Sequence, residues 1–195
     1  ADEPGSEKVS RQLDCFQEVR SKLPSHLLTH IANSGGAAFY EESHLDMIRY
    51  GIGLYGYDPG ETRIEGLQPI MDWKSYLTHV KWIRKGMTVS YKATWEAPGD
   101  GYLGVIPVGY ADGVPRNLSH QFEVTIDGQT YPVVGIVTMD SIMVFLGRER
   151  FNVNQEVLLF GKEGFTAKDW ADRVGTISYE ILSRLTPRVK RVYMD

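Results

Sequence analysis

The sequence changes its pattern near residue 60, and that change limits the folds that the chain can adopt. Residues 1–60 alternate between amphipathic and short apolar segments in the order helix, strand, helix, strand. That order is typical of a parallel α/β layer. From about residue 70 onward, short segments of alternating polarity follow one another, which is typical of an antiparallel sheet. We therefore predict α/β structure in residues 1–60 and a mostly antiparallel β-domain in residues 61–195.

The first part contains two predicted helices and two predicted strands. Apolar residues three and four positions apart predict an amphipathic helix over residues 6–23, with Ser6 as its N-cap. Cys15 lies on the apolar side of this helix, so we expect a buried, unreactive thiol. The strand HLLTHIANSGG, the helix AAFYEESHLDMI and the strand and loop IRYGIGLYG should follow. So few parallel strands neither close a barrel nor make a stable open sheet, so this part resembles the end of a domain.

The second part carries clear turn and cap signals. Asp127-Gly128 separates two alternating segments and predicts a two-residue hairpin turn. Thr166 and Gly175 flank the helix TAKDWADRVG as its N-cap and its stop. A second late helix is predicted at SYEILSRL. The other predicted strands are SYLTHVKWI, MTVSYKATW, YLGVIPVGY, SIMVFL and EVLLFG.

Composition excludes several functional classes. The 195 residues are 42% hydrophobic and 24% charged, which is typical of globular proteins. A net charge of −4 without a basic run argues against nucleic-acid binding. No apolar stretch approaches the roughly 20 residues that span a bilayer, so we expect no membrane segment in this chain. One cysteine excludes an internal disulfide and is compatible with the cytoplasm. His26 and His30 lack partner ligands, so we expect no metal site.

Two glycine-rich segments, HIANSGG and RYGIGLYG, end the two predicted parallel strands. Ligands of α/β folds bind at the carboxyl ends of strands. The Ser34 hydroxyl and the N–H groups of Gly51 and Ile52 would therefore converge on one phosphate there. The segments lack the GxxxxGK[ST] pattern of a Walker loop. Glycine-rich loops are also ordinary turns, so the residues alone leave both interpretations open.

Three tyrosines, Tyr91, Tyr110 and Tyr179, recur beside small or polar residues. A phenol with a pKa near ~10 is a poor base unless its surroundings favour the phenolate. A tyrosine in a strand also commonly serves only to pack the sheet. The residues alone thus indicate no more than a small phosphate-bearing ligand with tyrosines around it.

Six motifs resemble, in sequence order, those of the alanine racemases: HIANSGG, RYGIGLYG, VSYKATW, GYADGVPR, VTMDSIM and TISYEILSRLTPRVKRVY. Members of this family are pyridoxal-phosphate enzymes with an N-terminal TIM-type barrel and a C-terminal β-domain. The resemblance covers essentially the whole chain and implies a C-terminal fragment of that barrel followed by a β-barrel-like domain. The lysine that forms the Schiff base with the cofactor would precede these residues. We therefore expect the chain to be inactive alone.

The resemblance implies roles for residues around pyridoxal 5'-phosphate. Arg49 would face the pyridine nitrogen. A guanidinium, with its pKa above ~12, cannot lend that nitrogen a proton, so the ring would stay neutral. His30 would steady Arg49. The phosphate would be held by Ser34, Gly51, Ile52 and Tyr179.

The resemblance also implies roles around the substrate. Tyr91 would be the second catalytic base, on the face of the substrate opposite the lysine, because racemisation needs one group to remove the α-proton and another to return one. The Met139 backbone would meet the substrate carboxylate, and Tyr110 would narrow the entrance. Asp140 would support the turn at Met139, and Arg116 would lie at the outer entrance.

The implied function is the racemisation of L-alanine to D-alanine for peptidoglycan synthesis, by a homodimer whose subunits share each active site. Tyr91, Tyr110 and Met139 would serve the neighbouring subunit's cofactor. Ile136 stands where many family members carry an arginine, and Thr138 replaces a frequent cysteine, so a racemase for serine or for a wider set of amino acids is an alternative. A non-catalytic β-domain binding module is a second alternative. A related decarboxylase is disfavoured, because that group places a carboxylate where this chain has Arg49.

Overall fold

Helix α1 spans Glu7–Arg20 and buries one apolar face, as its periodicity predicts. The structure is a computed structural model that describes residues 1–194. Val9 and Leu13 pack against the buried ring of Tyr40. The Tyr40 hydroxyl accepts a hydrogen bond from the Ser6 N–H at 2.8 Å, which fixes the start of the helix. The amphipathic prediction is confirmed, although the Ser6 side chain makes no cap hydrogen bond.

The expected burial of Cys15 is wrong, because its side chain is exposed. Val19, on the same predicted apolar face, is 54% exposed. The buried residues of α1 are Val9 and Leu13, so its apolar face is covered only near the start of the helix. Periodicity predicts which residues share a face, but not how far along the helix a neighbour covers that face.

The two predicted parallel strands are extended segments rather than regular strands. Residues 28–33 and 47–51 carry no regular strand pairing. Two backbone hydrogen bonds join their surroundings: the Asp46 N–H donates to the Thr29 carbonyl at 3.2 Å, and the Arg49 N–H donates to the Ala32 carbonyl at 2.9 Å. Parallel strands are marginal without further neighbours, which explains the incomplete pairing. The helical elements between and after them are α2, Ser34–Phe39, and two 3₁₀ helices, Glu41–Ser43 and Ile52–Tyr55.

The chain from Met71 onward forms a second compact unit, separate from Ala1–Ile70. Its strands are β1 Trp73–Tyr76, β2 His79–Ile83, β3 Thr88–Val89, β4 Trp95–Glu96, β5 Gly101–Ile106, β6 Glu123–Ile126, β7 Gln129–Val134, β8 Ile142–Gly147 and β9 Glu156–Phe160. Seven of them form one sheet in the order β1-β9-β6-β7-β8-β5-β2, and every pairing in it is antiparallel. Strands β3 and β4 form a separate pair. Two 3₁₀ helices lie at Tyr91–Ala93 and Arg116–Leu118.

The sheet closes on itself, because its two outermost strands are consecutive in the chain. Only Leu77 and Thr78 separate β1 from β2. The Leu77 N–H donates to the Gln155 carbonyl beside β9 at 2.9 Å, and the Thr78 N–H donates to the Val105 carbonyl of β5 at 2.8 Å. One bent stretch of chain therefore pairs with both sides of the sheet. The predicted β-barrel-like architecture is confirmed.

The turn between β6 and β7 is the predicted Asp127-Gly128 turn. Both residues have positive φ, +50° and +77°. Ile126 pairs directly with Gln129, so the loop contains two residues only. This is the type I′ geometry that a right-handed twisted hairpin requires.

Two helices accompany the barrel, α3 at Ala167–Val174 and α4 at Ser178–Ser183. Thr166 and Asp169 form a reciprocal capping box at the start of α3, and Gly175 ends it at φ +72°, so both predicted signals are confirmed. Across residues 1–194, none of the helices combines the length and the apolar character that crossing a bilayer demands.

The barrel and α3 share an aromatic core. Trp170 of α3 lies with its ring centroid 5.0 Å from Phe122, 5.1 Å from Phe160 and 5.8 Å from Trp73. The contacts to the two phenylalanines are edge-to-face, an arrangement that aromatic quadrupoles favour. All four rings are less than 5% exposed.

Candidate active site

Arg49 places its guanidinium on the neighbouring extended segment. Its Nη1 lies 2.7 Å from Nδ1 of His30, and its Nη2 donates to the Ile31 carbonyl at 3.2 Å. A guanidinium only donates, so His30 Nδ1 must accept. The neutral imidazole then carries its proton on Nε2. The structure thus brings His30 and Arg49 together as an oriented, solvent-facing pair.

Ser34 is a buried serine at the first position of α2, directly after the N-cap Asn33. Its Oγ accepts hydrogen bonds from the Gly51 N–H at 2.9 Å and from the Gly53 N–H at 3.4 Å. These bonds use the lone pairs of the oxygen, which leaves the hydroxyl proton to be donated to an acceptor. Ile52 begins the adjacent 3₁₀ helix. Of the four residues predicted to hold the phosphate, the structure brings Ser34, Gly51 and Ile52 together, whereas Tyr179 belongs to the second unit. A hydroxyl proton beside a turn of backbone N–H groups is typical of anion-binding loops.

The second unit contains a concavity of about 840 Å³. Tyr91, Tyr110 and Met139 are 70%, 42% and 55% exposed there, which is high for such large side chains. Exposed aromatic and apolar side chains gathered in a concavity are typical of a binding surface. Five of the predicted site residues line it: Tyr91, Tyr110, Arg116, Met139 and Asp140.

Tyr91 lies in a loop with an unusual backbone. Ser90, Lys92 and Ala93 have φ values of +71°, +62° and +50°, in the left-handed region that side chains disfavour. The Ser90 Oγ accepts from the Ile136 N–H at 3.0 Å and donates to the Ile136 carbonyl at 3.2 Å, which holds the loop against the segment after β7. Such strain is retained where surrounding contacts enforce it, and it occurs often at functional sites.

A tight turn presents Met139 and Asp140 to the concavity. Thr138 and Ser141 close the turn through four hydrogen bonds. One joins their backbones at 3.1 Å, and one joins their hydroxyl oxygens at 2.9 Å. Thr138 Oγ1 also lies 2.8 Å from the Ser141 carbonyl oxygen and accepts from the Ser141 N–H at 3.1 Å. Asp140 is exposed at the tip. Thr138 and Ser141, which were not among the predicted site residues, therefore supply these bonds.

Tyr179 lies on α4 and is not among the residues that line the concavity. The next residue, Glu180, accepts hydrogen bonds from Thr176 Oγ1 and from Arg184 Nη1. These two bonds lower the pKa of Glu180, so the carboxylate stays ionised. They also link Glu180 to residues on both sides of it in the chain. Tyr179 is 39% exposed.

Sequence reasoning missed an ion pair that begins in the loop of Tyr110, a residue that lines this concavity. Asp112 is a buried carboxylate within GYADGVPR, and Arg188 is its ion-pair partner. An aspartate between alanine and glycine is a turn signal that the sequence does contain. Its distant partner has no local signal. Within residues 1–194, no three histidine, cysteine or carboxylate side chains are grouped to hold a metal ion.

Comparisons with known proteins point to one family. The family model "Alanine racemase, C-terminal domain" matches residues 70–193, and "Alanine racemase, N-terminal domain" matches residues 1–59. Alanine racemase of Corynebacterium glutamicum strain R is 38% identical over 200 residues, which cover 100% of this chain and 55% of that protein. The chain thus spans about half the length of this relative.

Solved structures agree. Alanine racemase from Streptomyces coelicolor A3(2) matches with a TM-score of 0.88 and 38% identity, over 100% of this chain and 54% of that chain. Alanine racemase from Bartonella henselae, solved with covalently bound pyridoxal phosphate, matches with a TM-score of 0.87 and 30% identity, over 99% of this chain and 54% of that chain. The chain belongs to the alanine racemase family.

Proposed function

We propose that the protein carrying this chain is a pyridoxal-phosphate-dependent racemase that interconverts L- and D-alanine and supplies D-alanine for peptidoglycan. The observation that carries the proposal is the phenol of Tyr91, which is 70% exposed on a concavity in a loop with left-handed neighbours. A ring this exposed makes little packing contact, so its phenol is available to a bound molecule. Family membership supplies the reaction class.

The residues of the first unit suit the cofactor. Ser34 has a hydroxyl proton to donate, because its oxygen already accepts the Gly51 N–H, and the N–H of Ile52 follows directly in the chain; this hydroxyl and this N–H would be donors to phosphate oxygens. The neighbour from Bartonella henselae contains covalently bound pyridoxal phosphate. Tyr179 would add a further hydroxyl to the phosphate. When bound, pyridoxal phosphate supplies a sink for the electron pair left after the α-proton is removed.

Arg49 would tune that sink. A guanidinium keeps its own protons at every physiological pH, so Arg49 would leave the heterocycle nitrogen unprotonated. His30 fixes the guanidinium by accepting a hydrogen bond at 2.7 Å, which supports its role as a positioning residue. A neutral ring limits delocalisation and so disfavours side reactions other than proton exchange.

Tyr91 would move a proton at its Oη. Racemisation requires a proton to leave one face of the α-carbon and another to arrive from the opposite face. Tyr91 would serve one face, and the lysine of the preceding part of the family's barrel would serve the other. The Met139 N–H would bind the substrate carboxylate. Tyr110 would narrow the entrance, with Arg116 and Asp140 farther out.

The proposed assembly is a cytoplasmic homodimer. Within each subunit, residues 1–60 would belong to the cofactor-binding barrel and residues 61–195 would form the β-domain. Ser34, Arg49 and Tyr179 would act within their own subunit, and Tyr91 would act on the partner's cofactor. The single cysteine of this chain is compatible with a reducing compartment. The family resemblance supports an arrangement in which the β-domain of one subunit reaches over the barrel of the other.

Substitution of the catalytic phenol tests the proposal. The gene product that contains these residues should interconvert L- and D-alanine, and Tyr91→Phe should lower kcat/KM by about 10²- to 10⁴-fold. Tyr102→Phe is the control, because Tyr102 packs on Trp82 with ring centroids 4.9 Å apart and is not among the residues lining the concavity. Absorbance of bound cofactor should be retained in both variants. No racemisation by the intact protein would refute the proposal.

A second candidate, a racemase that also accepts serine, is favoured by one observation. Ile136 lines the concavity, so an apolar side chain stands where a polar one would discriminate between substrates. The same assay with L-serine decides between the two. A kcat/KM for serine close to that for alanine would replace the narrower proposal.

A further inference from the structure

Asp112 is a buried carboxylate that the proposed chemistry does not use. Its side chain is 10% exposed, and its two oxygens have different partners. Oδ2 accepts a hydrogen bond from the Gly109 N–H at 2.8 Å, and Oδ1 lies 3.1 Å from Nε of Arg188. A carboxylate this buried needs both kinds of partner, because an unpaired buried charge is costly.

The loop that contains Asp112 is joined to the turn that contains Met139. The Tyr110 N–H donates to the Thr138 carbonyl at 3.0 Å, and the Ala111 N–H donates to the Met139 carbonyl at 2.9 Å. At Gly109 the two backbones are so close that a Cβ would lie 2.3 Å from the Thr138 oxygen. Tyr110 and Met139 therefore cannot move independently, and both line the concavity.

The C-terminal segment holds the same loop from another direction. The Thr186 N–H donates to the Asp112 carbonyl at 3.1 Å, and Thr186 Oγ1 donates to the Ala111 carbonyl at 3.0 Å. A Cβ on Gly113 would lie 2.8 Å from the Arg184 carbonyl oxygen. The loop 109–113 thus lies between the turn 138–141 and the segment 184–188, and the Asp112–Arg188 ion pair is the charged link across that junction.

We propose that Asp112 and Arg188 are positioning residues, which set the places of Tyr110 and Met139 in the racemase site. The expected effect on substrate binding rests on the proposed function, whereas the expected effect on the loop 109–113 and the turn 138–141 does not. Without Arg188, the Asp112 carboxylate loses its charged partner and draws water or a new donor, which loosens the Gly109 contact. The loop and the turn would then shift together, because they share two backbone hydrogen bonds.

Hydrogen–deuterium exchange tests the structural step. Arg188→Met should raise exchange by roughly tenfold in the peptides covering 107–114 and 136–141, because both lose the same restraint. Arg188 is 56% exposed, so its substitution is compatible with folding. Lys168→Met is the matched control, because Lys168 forms an ion pair with Asp172 on α3 at 2.8 Å. Unchanged exchange in the two peptides would overturn the proposal, whatever the protein catalyses.

Kinetics test the catalytic step. Arg188→Met and Asp112→Asn should each raise KM for alanine by roughly tenfold while kcat and the absorbance of bound cofactor change less, because Met139 would meet the substrate carboxylate. Arg188→Lys should restore part of the loss. A lower Tm with kcat/KM unchanged would show a merely structural pair and overturn the inference. A wild-type protein without racemase activity would instead refute the proposed function. The exchange experiment would still decide whether Asp112 and Arg188 position the loop and the turn.

Discussion

Ser34 shows how one side chain serves both structure and binding. The side chain is only 3% exposed. Its oxygen accepts hydrogen bonds from two backbone N–H groups at the start of the 3₁₀ helix Ile52–Tyr55. Removing that oxygen takes the partner from the Gly51 N–H and from the buried Gly53 N–H, and a buried donor without a partner costs more than the hydrogen bond itself contributes. The hydroxyl proton is what the proposed phosphate would receive.

Ser34→Ala should lower the free energy of unfolding by about 1–3 kcal/mol. It should also weaken retention of pyridoxal phosphate, measured by cofactor absorbance after dialysis. Ser10→Ala, at an exposed position of α1, is the control and should leave both unchanged. If the free energy of unfolding of Ser34→Ala equalled that of Ser10→Ala, the hydrogen bonds from the Gly51 and Gly53 N–H groups would not contribute to stability.

At the scale of elements, a side chain supplements the incomplete strand pairing of the first unit. Asp46 Oδ2 accepts from Thr29 Oγ1 at 2.6 Å and from the Thr29 N–H at 2.8 Å. These bonds, assisted by Arg20 at 3.8 Å, lower the pKa of Asp46. The extended segments are thus held by a carboxylate in addition to backbone pairing.

This contact predicts a pH dependence of stability. Because folding lowers the pKa of Asp46, its contribution is present above the ordinary aspartate pKa of about 3.9 and is lost as the pH falls through the folded value. The Tm of Asp46→Asn should therefore lie below that of the wild type near about pH 6, and the difference should shrink as the pH falls below the ordinary aspartate pKa toward the lowered folded value. Asp14→Asn, on the exposed side of α1, is the control. A difference that does not change with pH would exclude this mechanism.

Helix α3 depends on its cap, because its eight residues are too few for a stable isolated helix. Thr166→Ala removes the acceptor for the Asp169 N–H and should cost about 0.5–2 kcal/mol in urea unfolding. Lys168→Ala, which removes an exposed ion pair of the same helix, should cost no more than about 0.5 kcal/mol. Equal losses in the two variants would contradict a role for the cap.

At the scale of the whole molecule, the proposed homodimer predicts how mixed subunits behave. If Tyr91 serves the partner's cofactor, a mixed dimer of Tyr91→Phe and Arg49→Ala subunits contains one site with both residues intact. Dimers isolated with two different affinity tags should then show about half of the wild-type activity. Activity equal to the mean of the two parent variants would instead place each site within one subunit.

The reciprocal mixture is the control. A subunit with both substitutions, paired with a wild-type subunit, should be nearly inactive if the sites are shared, because each site then lacks one residue. The same mixed dimer should keep about half of the wild-type activity if the sites are not shared. If the sites are shared, the first mixed dimer is therefore active and the second nearly inactive, and the reverse holds if they are not shared.

Local patterns in the chain were enough to predict α1, the Asp127-Gly128 hairpin and the ends of α3. Each depends on residues a few positions apart, where periodicity, turn chemistry and capping act through the backbone itself. The candidate site residues came from ordered motifs, and the structure brings His30 to Arg49, Ser34 to Gly51, and Tyr91, Tyr110 and Met139 to one concavity.

Only the tertiary structure decided the rest. No local signal predicts the closure of the sheet by the consecutive strands β1 and β2, the exposure of Cys15 or the Asp112–Arg188 pair. The expected parallel strands were also absent as regular strands, because strand pairing depends on neighbours distant in the chain. Propensity acts over a few residues, whereas burial and charge pairing depend on which distant segments pack together, and that is a property of the folded chain.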